Sequence, residues 1–402
     1  MANMPGSNSS TQRYIVEMYY VDKDSNYTQI PSENISSIIF DYDYDNKNMP
    51  IIYVSFNVNS KIYDEMVVNK DTSKIHLIIK KKNINSASSL TRVVIKDEFK
   101  YLIPTDVDYH RPLDKLGNAK ELDTGISYKK GIMALTKIDV IEDNYRLNNT
   151  IIKNSNMSSI IHKFTNHMVM VIEPLERNDT IKWIIIPPIP TITELLKYLD
   201  SYQTFYKSGY RYFRDLNKTY LLSTSGNPVI DSSDKYNTVL INIMETLSDE
   251  TKYSGAVIDE SAKAYVLYVD ALDTGMNLPM FKTTDSYIGV SSTGNIKKCG
   301  DYVDPLKNIK EKFHIHRVFN DNLDYIDSIN NVKDSTNIVL IINRAELDAS
   351  ILTPNKEYIV KNYREYQEYN GRFVLSSKKE ILIQQDNEFI SSTSFTLRKV
   401  IE

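Results

Sequence analysis

Residues 181–222 constrain this chain most. They read I-K-W-I-I-I-P-P-I-P-T-I-T-E-L-L-K-Y-L-D-S-Y-Q-T-F-Y-K-S-G-Y-R-Y-F-R-D-L-N-K-T-Y-L-L and hold its only tryptophan, Trp183. The apolar run 181–186 suits a strand buried on both faces. Pro187, Pro188 and Pro190 stop it. Thr191 and Glu194 then make a capping box, T-x-x-E, which contributes on the order of 1 kcal/mol to a helix start. Ile192, Leu195, Leu196, Leu199 and Tyr202 fall on one helical stripe. Gly209 is placed just past the helix end, where a left-handed residue is often required. Residues 210–214 and 219–222 read as strands. Such a segment, set between two β-rich blocks, reads as an architectural junction.

The block before it reads as strands at 13–21, 35–44, 51–58, 74–80 and 90–102, with polar turns between and apolar–polar alternation at the end of 35–44 and along 51–58. Several short strands at such spacing predict a sandwich or barrel. Residues 1–112 are assigned to a first β-barrel domain, beginning with a polar tail at 1–12. Residues 113–232 form a mixed α/β connector. It contains a linker at 114–130, a strand near 131–139, and a helix at 155–166 with Ser155 as its candidate cap. A second, discontinuous β-barrel domain takes 233–275 and 335–402, and Asn370-Gly371 is its hairpin signal. Residues 276–334 form a loop-rich insertion. The fold class is mainly β with some α, and no strict repeat points to a solenoid.

The bulk numbers narrow the function. Net charge is −4, which argues against a protein that grips nucleic acid through a basic field. No apolar run reaches the roughly 18 residues of a membrane span, and the polar N-terminus lacks a signal peptide's apolar stretch. One cysteine, Cys299, excludes an intrachain disulfide or a cysteine-cluster zinc site and fits a reducing cytoplasm. The chain has 12 glycines and none of the phosphate-loop, dinucleotide, zinc-protease or nucleophile-elbow motifs, so it is read as no enzyme and without a cofactor.

Each remaining chemical signal has a plainer reading beside it. His314 and His316 would face one side of a strand as a metal pair, but no third ligand is marked near them. Asp41, Asp43 and Asp45, with Asn46 and Asn48, resemble the start of a calcium loop. Asn46 and Ile52 stand where the loop's glycine and final glutamate belong, so an acidic strand face and turn is the simpler account. Glu173, Glu176, Asp179, Asp200 and Asp215 have no spacing that favours a glycosidase pair over solvated surface. Cys299, in K-K-C-G, reads as a free thiol. Arg211, Arg214 and Lys218 alternate with Tyr210, Tyr212 and Phe213. That pattern suits nucleic acid or, better with this net charge, a domain or subunit contact through Tyr210, Arg211, Phe213 and Arg214.

Four stretches carry a resemblance: D-Y-D-Y-D-N-K-N-M-P-I-I (41–52), I-P-P-I-P-T-I-T-E-L-L-K-Y-L-D (186–200), F-Y-K-S-G-Y-R-Y-F-R-D-L-N-K-T-Y-L-L (205–222) and L-D-A-S-I-L-T-P-N-K-E-Y (347–358). In pattern and order they resemble baseplate hub proteins of contractile-tailed bacteriophages. The resemblance implies two tail-tube-like β-barrels per chain and a homotrimer presenting six barrels. It implies tail tube protein above, a central spike protein below, other baseplate proteins around, and DNA only in transit through the lumen. The setting is the virion, made in the host cytoplasm, without membrane insertion. Asp41, Asp43 and Asp45, if lumenal, would repel DNA phosphate. Alternatives are a tail-tube terminator, a receptor-binding protein, or a tail-associated cell-wall hydrolase.

Overall fold

The computed structural model describes residues 13–45, 49–82, 91–103, 128–138, 150–165, 170–189, 191–216, 218–224, 227–229, 235–244, 257–270, 274–277, 288–290, 296–298, 339–345, 349–361, 370–386 and 388–400. The first elements are β1 (Arg13–Val21), β2 (Tyr27–Ile30), β3 (Ile35–Asp43), β4 (Ile51–Asn59), α1 (Ser60–Val68), β5 (Lys74–Lys82), β6 (Thr91–Leu102) and β7 (Tyr128–Lys137). The connector follows with β8 (Thr150–Asn156), α2 (Met157–Thr165), β9 (Met170–Ile172), β10 (Thr180–Ile186), α3 (Ile192–Tyr202), β11 (Tyr210–Arg214) and β12 (Thr219–Ser223). Next come β13 (Thr238–Met244), β14 (Val257–Asp259), β15 (Ala264–Asp270), β16 (Thr274–Asn277), β17 (Ile288–Val290) and β18 (Ile296–Lys298). The chain closes with β19 (Val339–Ala345), β20 (Glu357–Lys361), β21 (Gly371–Gln385) and β22 (Glu388–Lys399).

Eight strands close into an antiparallel barrel in the order β21-β3-β4-β7-β6-β5-β1-β22, with β22 pairing back onto β21. Alternation explains its core. Val16, Met18, Ile38, Phe40, Ile52, Val54, Leu77 and Ile79 are buried while their strand neighbours face outward. The barrel is not confined to residues 1–112. β7, from the stretch assigned to linker and connector, fills the gap between β4 and β6. The C-terminal hairpin β21–β22 supplies the last two staves. Without the hairpin β1 and β3 would expose unpaired edges, and without β7 so would β4 and β6.

The same hairpin serves a second sheet. Its Gly371 end pairs with β20, which continues through β13 and β15 to β14; its Lys399 end pairs with β19 and then β16. A bulge at Leu375/Ser377 marks where β21 passes from one sheet to the other. Of residues 276–334, β17 and β18 form a two-stranded ladder. Most of the rest, with His314, His316 and Cys299, lies outside the described residues.

In the connector, Thr191 Oγ1 accepts from Glu194 N at 3.2 Å and starts α3, as the capping box predicts. Three local expectations change. Asn156, not Ser155, caps α2, its side chain accepting from Ser159 N at 2.9 Å. α3 ends at Tyr202 with Gln203 as its cap, so Gly209 (φ +84°) instead turns the chain into β11. β10 is not buried on both faces: Ile184 and Ile186 face the connector core, whereas Trp183 and Ile185 face outward. A two-stranded ladder has only one covered side, so a run of isoleucines there does not imply burial twice over.

Candidate functional site

The connector meets the barrel through the β11–β12 hairpin, which reaches the barrel's mouth. β11 is buried on both sides. Tyr212 packs into the connector core, while Phe213 belongs to the barrel core. Phe213 meets Tyr44 edge-to-face with ring centroids 4.5 Å apart, and Tyr44 stacks in turn on Tyr42 at 6.1 Å. Such pairs add about 1 kcal/mol each beyond area burial. Lys137 Nζ reaches into the hairpin turn and donates to Leu216 O at 2.7 Å.

Beside this contact is an ionic clasp around two buried arginines, Arg211 and Arg398. Asp45, in the turn after β3, lies 3.7 Å from Arg211 Nη1 and 3.3 Å from Arg398 Nε. Ser376, in the β21 bulge, donates to Asp45 Oδ2 at 2.5 Å. Arg211 is 7% exposed. It also donates to the carbonyls of Ser223 (3.3 Å), Leu375 (3.2 Å) and Pro354 (3.5 Å). Burial pulls its pKa down, opposed by Asp45. Glu173 is buried nearby and accepts from Ser223 N at 2.7 Å and from Asn227 Nδ2 at 2.9 Å. One carboxylate thus joins the β3–β4 turn, the connector, the bulge and the far end of β22.

Two buried lysines complete the junction. Lys378 Nζ lies 4.4 Å from the Tyr42 ring centre and donates to Ala349 O and Leu352 O. Lys356 Nζ donates to Ile351 O at 2.8 Å and sits over Tyr265. Together they satisfy the carbonyls at the end of the 3-10 turn Ala349–Ile351. Asp215, at the barrel mouth, has its pKa raised by burial against the pull of Lys378, Lys218 and Lys137.

The expected site residues are divided by this geometry. Asp41 and Asp43 share the outward, half-buried face of β3, and Tyr42 and Tyr44 are buried opposite. Asp45 leaves that face, because it lies past the strand end and its carboxylate turns into the clasp. Asp43 Oδ1 accepts from Asp45 N at 3.3 Å. Arg211 and Phe213 join connector to barrel within one chain. Tyr210 and Arg214 are half-buried at the ends of β11, with the Tyr210 ring 5.3 Å from Phe205. The carboxylates weighed for glycoside chemistry serve local structure. Glu176 accepts from Lys207 N, Asp179 from Gln203 Nε2, and Asp200 from Phe205 N. Asn46 and Asn48 lie outside the described residues; among those described, no cluster of three or more His, Cys, Asp or Glu is placed to hold a metal.

Sequence reasoning missed Arg398, Ser376, Lys356 and Lys378. A signal existed for Lys378 alone. It shares the inward parity of Leu382 on β21, so an alternating reading puts an ammonium where a core residue belongs.

Fold and junction define a structural β-barrel protein whose sheets are locked by buried ions. Three solved structures follow the chain over most of its length. The tail protein from Neisseria meningitidis MC58 has a TM-score of 0.48 at 10% identity, covering 96% of each chain. The 43 kDa tail protein of prophage MuSo2 from Shewanella oneidensis gives 0.45 at 9% identity, over 95% of this chain and 97% of that one. An E. coli protein, c3393, described as a type VI secretion component similar to the T4 tail proteins gp27 and gp5, gives 0.40 at 8%, over 92% and 74%. No curated protein matches the sequence. Residues 10–400 match the family described as Bacteriophage PBS1 gene 109 protein, and the chain belongs to that family.

Proposed function

We propose that this phage protein is a baseplate hub, a homotrimer that joins the hexameric tail tube to the trimeric central spike and surrounds the DNA path. The observation that carries the reading is the shared hairpin. A closed barrel and a second sheet use the same two strands, so one chain holds two β-modules in fixed relation. Three such chains present six modules around an axis. That arrangement meets a sixfold partner on one side and a threefold partner on the other. The clasp at Asp45 suits this role, because an adaptor under load needs its modules locked to each other.

Negative-stain imaging and sedimentation of the purified chain test the proposal. A trimeric ring that binds tail tube protein on one face is expected. A monomer at every concentration, with no tube binding, overturns it.

A further inference from the structure

The outer face of β8–β10 is used by none of the contacts above. Ile151 stands opposite Ile185, and Lys153 opposite Trp183. Ile151 is 63% exposed, Trp183 60% and Ile185 50%. Single exposed apolar residues are ordinary, but three adjoining ones, including the only tryptophan, mark a contact surface. The other face of the same ladder is closed, because Ile152, Ile184 and Ile186 pack into the connector core with α2 and α3. Tyr198 of α3 donates to Ile185 O at 2.7 Å and ties the strand to the helix. The open face is therefore preformed, and little backbone has to be ordered when something binds it.

The rim says what covers it. Lys153 and Lys182 are exposed beside Trp183 and enter no ion pair among the described residues. Across the connector six bases are exposed (Lys153, Lys163, Arg177, Lys182, Lys197 and Lys207) against three acids (Glu176, Asp179 and Glu194). Two of those acids already accept within the chain, Glu176 from Lys207 N and Asp179 from Gln203 Nε2. An apolar centre with an unanswered basic rim is complemented by an apolar surface edged with carboxylates. A nucleic acid fits poorly, since Ile151 and Ile185 offer bases no ring to stack on. The patch lies on a pleated ladder, not on the amphipathic helix usual in an interfacial membrane anchor. A two-fold pairing of the face with itself would set lysines against lysines. A ladder covered by helices on one side is completed by a second protein layer on the other.

We propose that the β8–β10 face docks a different tail protein through an apolar surface edged with Asp or Glu. Trp183 is the central anchor, and Lys153 and Lys182 hold the rim. This rests on the virion setting of the hub reading and not on its trimer.

Photo-crosslinking in assembled particles tests it, with benzoylphenylalanine placed at position 183 and, separately, at position 151. Both should capture the same tail protein, on a segment that contains Asp or Glu. That protein, once purified, should bind the full chain. Trp183→Ser, and Lys153→Glu combined with Lys182→Glu, should each weaken this binding about tenfold or more, with thermal melts to show that the variants fold. Capture of a second copy, of DNA or of lipid, or no capture at either position, overturns the inference. So do folded variants that bind like the parent chain. The hub reading fails separately: a chain that stays monomeric and binds no tube protein defeats it, whatever position 183 captures.

Discussion

Asp45 and Arg398 are 353 positions apart in the chain, yet the Asp45 carboxylate lies 3.3 Å from Arg398 Nε. The pair joins the first turn after β3 to the end of the last strand. Both arginines around Asp45 have side chains only 6% exposed, and the Asp45 side chain is 21% exposed although the turn residue itself is open to solvent. Removing one partner of a buried ion pair leaves a desolvated charge, which costs about 3–5 kcal/mol. Asp45→Asn should therefore destabilise by about 3 kcal/mol in urea unfolding. Adding Arg398→Met should recover part of that, because the second charge then needs no partner. Equal stability of Asp45→Asn and the parent chain would remove the clasp from the account.

Phe213 is buried against Tyr42 and Tyr44 at the barrel mouth. Phe213→Ala leaves a cavity there and should cost about 3–5 kcal/mol. The loss is local, so limited proteolysis should cut the β11–β12 hairpin before the barrel strands. Uniform cleavage of both would contradict a docked hairpin.

Lys378→Met keeps the apolar stem and removes the ammonium. The carbonyl of Leu352 then loses the Lys378 donor, whereas that of Ala349 keeps the Leu352 N–H at 3.2 Å. Each buried acceptor left alone costs about 1–3 kcal/mol, so this swap should lower the melting temperature despite methionine's greater hydrophobicity. A rise in melting temperature would mean that the ammonium's desolvation outweighs its bonds.

Local rules carried much of this fold. The alternation at the end of 35–44 and along 51–58 names inward side chains, and the Thr191–Glu194 box places α3. What no local rule holds is partner choice. β1 lies beside β22, and β3 beside β21, because the barrel must close, and that pairing depends on every strand together. The clasp was half legible. Arg211 stood out as a cation among aromatics, but the reach of Asp45 to it requires the turn after β3 to lie under the β21 bulge. Ser155 and Asn156 are both good caps by composition, and only the start of α2 at Met157 selects between them.

Asp200 gives a pH signature. It is 8% exposed on α3, and burial pushes its pKa up from 3.8 to about 6, although Phe205 N donates to it. The folded state thus holds this proton more tightly than the unfolded chain does. Its contribution is full below about pH 4 and is lost as pH rises through 6. A difference of about two pKa units corresponds to about 3 kcal/mol at 1.36 kcal/mol per unit. Asp215, also raised, adds in the same direction. Asp200→Asn keeps an oxygen for Phe205 N and never ionises. Calorimetry should show it more stable than the parent at pH 7.5, with the difference shrinking toward pH 4. A constant difference across that range would mean that Asp200 does not change its protonation on folding.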